Sequence, residues 1–342
     1  MSDVLIRVAG RAGRITLNRP KALNALTWEM CRAIEAALDA WAADPTVALV
    51  VIDGAGERAF CAGGDIAEMY RRGRAGDFAF GRGFFADEYR LNAKIAEFPK
   101  PYVALMHGFT MGGGIGVASH GSHRIVGESA KLAMPECGIG LVPDIGGTFL
   151  LSRAPGHLGE FLGTTGHRMG PGDAILAGFA DRFVPEADWP DLIARLEATG
   201  DPAAPDAAAR PAPEAGVSAL APLIDRHFAA PTIGEVIAAL EADPSEAAQT
   251  TAATLRRGSP LATACTFAAI RRVRGQGLRE ALALEFRHSW RAAERGDFLE
   301  GVRAAIIDKD RAPRWRHAAI EDVTPAEVEA MLAPLGADEL TF

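Results

Sequence analysis

Apolar and polar positions fall into two patterns along the chain. Val4 to Val8 and Arg14 to Asn18 read as two short strands around a Gly-Arg-Ala-Gly turn, and Asn18-Arg19-Pro20 then leaves the sheet. From an N-cap at Thr27, Ile34, Leu38 and Trp41 recur at helical spacing until Asp44-Pro45 stops them. Ala48 to Ile52 is a continuous apolar run, as expected of a strand covered on both faces. Tyr102 to Met106 is another, after the Pro99-Lys100-Pro101 stop. Strands alternating with helices predict βαβ units with right-handed crossovers, so the expected class is α/β, over residues 1–199. Residues 200–216 are rich in alanine and proline and read as a linker or surface excursion. Helical periodicity then returns in Ile233 to Leu240, Leu261 to Val273 and Leu278 to Arg295, which predicts a mainly helical region over 217–342.

Composition narrows the function classes. The four cysteines, Cys31, Cys61, Cys137 and Cys265, are scattered with no C-x-x-C spacing, so neither a disulfide framework nor a zinc ribbon is expected. A net charge of −8 opposes a general grip on nucleic acid, which needs a basic surface. The N-terminal residues lack the pattern of a secretory signal, and no apolar run reaches membrane-spanning length. The expectation is a soluble, cytoplasmic protein that uses neither nucleic acid nor membrane as a partner.

Three loops carry unusual densities of glycine and carboxylate, each after a predicted buried strand, where ligands of open α/β sheets lie. They are expected to converge. In Phe60-Cys61-Ala62-Gly63-Gly64-Asp65, paired glycines let backbone approach a ligand and leave an N–H near Gly64 to donate; an ordinary strand-to-helix turn explains the same residues. In Met111-Gly112-Gly113-Gly114-Ile115-Gly116 a strand feeds a glycine run that opens a helix. Its N–H groups suit an oxygen gaining negative charge in acyl transfer, although close helix packing also uses glycine. In Pro135-Glu136-Cys137-Gly138-Ile139-Gly140-Leu141-Val142-Pro143-Asp144, two acids share a loop stiffened by prolines and bent by glycines. Such a pair divides nucleophile, base and acid work if their surroundings separate their pKa values. The plainer alternatives are a surface acid at 136 and a helix N-cap at 144.

Other chemistries lack their motifs. No G-x-G-x-x-G follows a strand, and there is no G-x-x-x-x-G-K-[ST] and no G-x-S-x-G. Cys137 has no evident base partner, and His120 with His123 is an isolated H-x-x-H, so no metal is expected.

Together, Asn18-Arg19-Pro20 with Leu23-Asn24-Ala25-Leu26, Phe60 to Asp65, Met111 to Gly114, and Pro135-Glu136, Gly140, Pro143 and Gly146-Gly147 closely resemble the enoyl-CoA hydratase/isomerase (crotonase) superfamily in order and spacing. Phe84 to Asn92, Leu141 to Gly147, Gly296 to Ala304 and Ile307 to Pro313 make the chain most similar to its 3-hydroxyisobutyryl-CoA hydrolase branch, of valine catabolism. The resemblance implies a crotonase-like spiral of ββα units with a C-terminal helical region. It also implies a thioester oxygen held by the Gly64 and Gly113 N–H groups as oxyanion hole, Glu136 and Asp144 as catalytic acids, and Glu88 as an acceptor for the 3-hydroxyl. Glu88 reads equally as a helix-surface acid. CoA is then part of the substrate and no separate cofactor is implied; Lys21, Lys309 and nearby arginines are candidates for its phosphates. Hydratases of the superfamily place a second glutamate on the helix after the glycine run, where this chain has Gly116, and usually a glycine where it has Asp144. Hydrolysis of 3-hydroxyisobutyryl-CoA, with 3-hydroxypropionyl-CoA as a further substrate, is the expectation. The alternatives are an enoyl-CoA hydratase/isomerase and a non-catalytic acyl-CoA binding protein. Superfamily relatives often form trimers or hexamers, so a homo-oligomer is one expected assembly.

Overall fold

The opening hairpin forms, with β1 (Val4–Ala9) antiparallel to β2 (Ala12–Leu17) and Val4 opposite Leu17; the turn is only Gly10-Arg11, so Ala12 and Gly13, expected in the turn, pair in the sheet and the second strand ends at Leu17 instead of Asn18. Helix α1 (Trp28–Ala43) begins where the Thr27 hydroxyl accepts the Met30 N–H, and it buries Ile34, Leu38 and Trp41. Its far end is held by Lys100, whose ammonium donates to the carbonyls of Trp41, Asp44 and Val47 at 2.5, 2.6 and 2.8 Å. Then follow β3 (Leu49–Gly54), β4 (Ala59–Cys61), α2 (Ala67–Arg74), α3 (Phe78–Ala96), β5 (Tyr102–Met106), β6 (Phe109–Met111), α4 (Gly113–Ala118), β7 (His123–Val126) and β8 (Lys131–Ala133). Next come α5 (Gly147–Ser152), α6 (Leu158–Thr165), α7 (Pro171–Leu176), β9 (Arg182–Phe183), α8 (Trp189–Thr199) and α9 (Ala204–Ala208). The rest is helical: α10 (Ala221–His227), α11 (Ile233–Ala242), α12 (Glu246–Arg257), α13 (Pro260–Arg272), α14 (Leu278–Arg295), α15 (Phe298–Val302) and α16 (Pro325–Leu332).

A computed structural model describes residues 2–342, which form two units. The first combines the stretch up to Gly64 with Asp87–Leu132 and Met169–Gly216. Its larger sheet has the order β1-β2-β3-β5-β7-β9, parallel from β2 onward. Leu49 to Ile52 and all of β5 are buried, as their unbroken apolar runs require. Trp189, Leu192 and Leu196 of α8 pack against Leu49, Val51, Val103, Leu105 and Ile125. β4, β6 and β8 form a smaller sheet. β3, β5 and β7 thus join one sheet while β4, β6 and β8 join the other, each pair followed by helix, which is the expected ββα spiral.

The alanine- and proline-rich stretch carries structure of its own. Ala204 and Pro205 of α9 are buried, Ala204 within the α8 cluster, and the Arg210 N–H donates to the Phe183 carbonyl at 2.9 Å. Small side chains there allow close packing, which composition alone reads as looseness.

The second unit combines Asp65–Ala86, Ala133–Arg168 and Val217–Phe342. This packing differs from the sequential division expected at 199/200 and 216/217. The reason is local: α5 and α6 bury their apolar faces on the C-terminal helices, and a Cβ at Gly163 would lie 2.8 Å from Ile270 Cδ1. α13 lies at the centre, with Leu261 and Cys265 packed on Val142 and Met331, and Ala269 and Val273 on Ala281 and Leu332. Among the described residues, no helix is long and apolar enough to cross a membrane.

Candidate active site

In the first unit, Gly64, Gly113 and Glu88 lie together. Gly64 bridges Leu26, whose N–H donates to the Gly63 carbonyl at 2.9 Å; Gly63, at φ +114°, makes the turn that only glycine enters easily. Gly113 is the first residue of α4, so its N–H has no acceptor within the helix. A Cβ on Gly113 would stand 2.6 Å from Glu88 Oε1, 3.2 Å from Leu26 Cδ1 and 3.4 Å from the Gly64 nitrogen. A Cβ on Gly114 would instead meet the Cys61 carbonyl oxygen at 2.3 Å. The glycine run therefore serves both readings, with Gly114 for close packing and Gly113 beside a second backbone donor and a carboxylate. Glu88 is 3% exposed, which removes the helix-surface alternative.

In the second unit, Glu136 opens a 3-10 turn over Glu136–Ile139 that is held on every side. The Gly138 N–H donates to Pro135 at 2.9 Å, the Leu141 N–H to the Glu136 carbonyl at 3.1 Å, and the Ser259 N–H to the Cys137 carbonyl at 2.9 Å. The tail motif buttresses it: a Cβ on Gly301 would lie 2.3 Å from the Ile139 carbonyl, and one on Gly140 would strike Asp297. Glu136 and Asp144 are both 4% exposed, so neither is a solvated loop acid.

Electrostatics tie the two acids together. Burial and then the Asp144 charge, with a further contribution from Glu285, push the Glu136 carboxyl well above the usual carboxylate range. Its Oε2 has no hydrogen-bond partner among the described residues. Such a carboxylate is poorly solvated when ionised, hence basic and nucleophilic. Burial pushes the neighbouring Cys137 thiol up to about 12, so thiolate chemistry is disfavoured there.

Glu285 of α14 was not expected. Fully buried, it accepts the Gly146 N–H at 2.7 Å, the Thr148 N–H at 2.8 Å and the Thr148 hydroxyl. Burial outweighs these bonds and, with the Asp144 charge, pushes it up to about 8. Among the described residues, no cluster of three or more His, Cys, Asp or Glu could hold a metal ion. Lys21 and Lys309 are exposed.

Comparison with known proteins decides the family. A family model described as enoyl-CoA hydratase/isomerase matches residues 12–332. The chain belongs to the enoyl-CoA hydratase/isomerase family. Within it, the chain is 38% identical to 3-hydroxyisobutyryl-CoA hydrolase, mitochondrial, of Gallus gallus, over 99% of this chain and 91% of the relative. It is 40% identical to the protein of the same name from Danio rerio, with the same shares covered. A solved structure described as an enoyl-CoA hydratase from Rhodobacter sphaeroides 2.4.1 is 60% identical, superposes with a TM-score of 0.95 and covers both chains fully. The ββα spiral is thus the fold of this family. Both hydratase and hydrolase names occur among its similar members, so the residues present must separate the two chemistries.

Proposed function

We propose that this protein hydrolyses the thioester of 3-hydroxyisobutyryl-CoA to the free hydroxy acid and CoA, in valine breakdown. The observation that carries the reading is the pair of buried, electrostatically coupled acids, Glu136 and Asp144, in a chain whose α4 offers Gly116 where a hydrating enzyme needs a second glutamate. The hydrolase names of relatives similar over nearly the whole chain support it.

In this mechanism the Gly64 and Gly113 N–H groups polarise the thioester oxygen, and losing one such donor costs about 3 kcal/mol of barrier. The ionised Glu136 carboxylate attacks the carbonyl carbon, and the C–S bond breaks as the thiolate of CoA leaves and takes its proton from solvent. An acyl-enzyme anhydride remains. Water then attacks it, giving a proton to the Asp144 carboxylate, and releases the hydroxy acid with Glu136 regenerated. Glu88 accepts the hydrogen bond of the 3-hydroxyl. CoA is the leaving half of the substrate, and the chemistry needs no further cofactor or metal. 3-Hydroxypropionyl-CoA, one methyl smaller, is a second substrate, since a methyl group discriminates by only about 1–3 kcal/mol. Four buried thiols fit a reducing compartment, and the cytoplasm is our proposal, although the named animal relatives are mitochondrial.

A small acyl-CoA panel tests this. Free thiol from the 3-hydroxyacyl thioesters, with no change in enoyl absorbance from crotonyl-CoA, is the expected result. Enoyl-CoA consumption without thiol release would support the hydratase reading that the Rhodobacter sphaeroides structure's description suggests. Binding without turnover would make the protein an acyl-CoA binder.

A further inference from the structure

Glu285 sits in the core of the second unit at 0% exposure, between Leu284 and Phe286 on α14. An ionisable group in such a place is costly unless its surroundings use it. Its three hydrogen bonds all go to one short segment far away in sequence, the Gly146 N–H, the Thr148 N–H and the Thr148 hydroxyl. That segment is the turn immediately after Asp144. Ile145 holds φ +56° and Gly146 φ +78°, so two successive residues are left-handed, and the first is β-branched, the class least at ease there. Gly146 provides no side-chain cap for α5, and the Glu285 oxygens take that place. The turn also closes on the Asp144 carbonyl, which accepts the Gly147 N–H at 2.7 Å.

Resting on the hydrolase reading above, we propose that Glu285 is the positioning residue for Asp144: its carboxyl group holds the left-handed turn at Gly146 and just beyond it at Thr148, and so fixes the direction from which Asp144 exchanges protons. The charges are close enough to be felt directly, since Asp144 raises the pKa of Glu285 and both raise that of Glu136. Glutamine at 285 has the same shape but sets an amide NH2 where one oxygen now accepts, so it faces a backbone N–H with another donor. The turn then loosens while the core volume is unchanged.

The test measures thiol release from 3-hydroxyisobutyryl-CoA by the full chain. Glu285→Gln is expected to lower kcat about 10- to 100-fold with KM within about twofold, the range for slight misplacement of a reacting group. Thr148→Val, which removes one of the three donors, is expected to lower kcat about 3- to 10-fold, and Thr148→Ser to restore it. In an Asp144→Asn background, Glu285→Gln is expected to cause no further loss, because its effect runs through Asp144. A purely structural staple gives another pattern: a lower melting temperature with kcat per folded molecule unchanged, or a loss that multiplies with that of Asp144→Asn. Either overturns the proposal. Should Glu285→Gln not fold, the Thr148 pair decides by the same criteria, singly and in the Asp144→Asn background. A wild type that releases no thiol overturns the hydrolase reading and this inference with it, whereas an active wild type with a fully active Glu285→Gln overturns the inference alone.

Discussion

Glu88 Oε1 stands 2.6 Å from the point a Cβ on Gly113 would occupy. The added methyl must displace the Glu88 carboxylate, and it crowds Leu26 Cδ1 at 3.2 Å and the Gly64 nitrogen at 3.4 Å. Gly113→Ala is therefore expected to lower kcat/KM for 3-hydroxyisobutyryl-CoA by about 100-fold, the scale of losing one oxyanion donor. Gly81→Ala is the matched control: its nearest neighbour is Met69 Cγ at 3.9 Å, so activity should stay within twofold and stability rise by up to about 1 kcal/mol. Initial rates and thermal melts of the two variants check this.

The burial of Glu88 bears on substrate choice. An acid placed to accept a hydroxyl hydrogen bond contributes about 1.5–3 kcal/mol when charged. Glu88→Gln should narrow the preference for 3-hydroxyisobutyryl-CoA over isobutyryl-CoA by about 10- to 100-fold, read as the ratio of kcat/KM values.

Glu136 and Glu285 predict an unusual pH response. Both have folded-state pKa values above those of the unfolded chain, Glu285 at about 8 and Glu136 well above the usual range. Above roughly pH 4.3 the unfolded chain releases these protons while the folded chain keeps them. The stability they contribute is thus complete below that pH and is lost as pH rises through the folded values, at about 8 for Glu285. Glu136→Gln should melt higher than wild type by a margin that grows from pH 5 to pH 8. Activity should run the other way: kcat/KM rises with pH well beyond the ordinary carboxylate range as Glu136 ionises.

Lys100 offers a test of the scaffold apart from the chemistry. Lys100→Met leaves three carbonyls at the end of α1 without their donor. A loss of about 2–3 kcal/mol in unfolding free energy is expected, with kcat per folded molecule unchanged, by denaturant titration alongside the thiol assay.

The shaped loop that buries the acids at 136 and 144 was legible because prolines and glycines mark it, α1 because one helical period governs it, and the central strands because their apolar runs are unbroken. Glu88 was half legible. Phe84, Phe85, Glu88, Tyr89, Asn92 and Ile95 form one buried stripe of α3, and an acid inside such a stripe is the sign of a buried carboxylate. Glu285 was not legible: its partners lie 137 and 139 positions away, and one of the three glutamates of an Arg-rich amphipathic helix looks solvated. The interleaving of the two units was hidden for a similar reason, since α5 and α6 reveal their burial partners only when folded.

In the proposed hydrolysis everything turns on attack by the Glu136 carboxylate. It is tested most directly by thiol release from 3-hydroxyisobutyryl-CoA with Glu136→Gln, beside calorimetric binding of the same thioester. The expected result is a fall in kcat of at least about 1,000-fold with affinity within a few-fold of wild type. Hydrolysis by Glu136→Gln at a rate near that of wild type would contradict it.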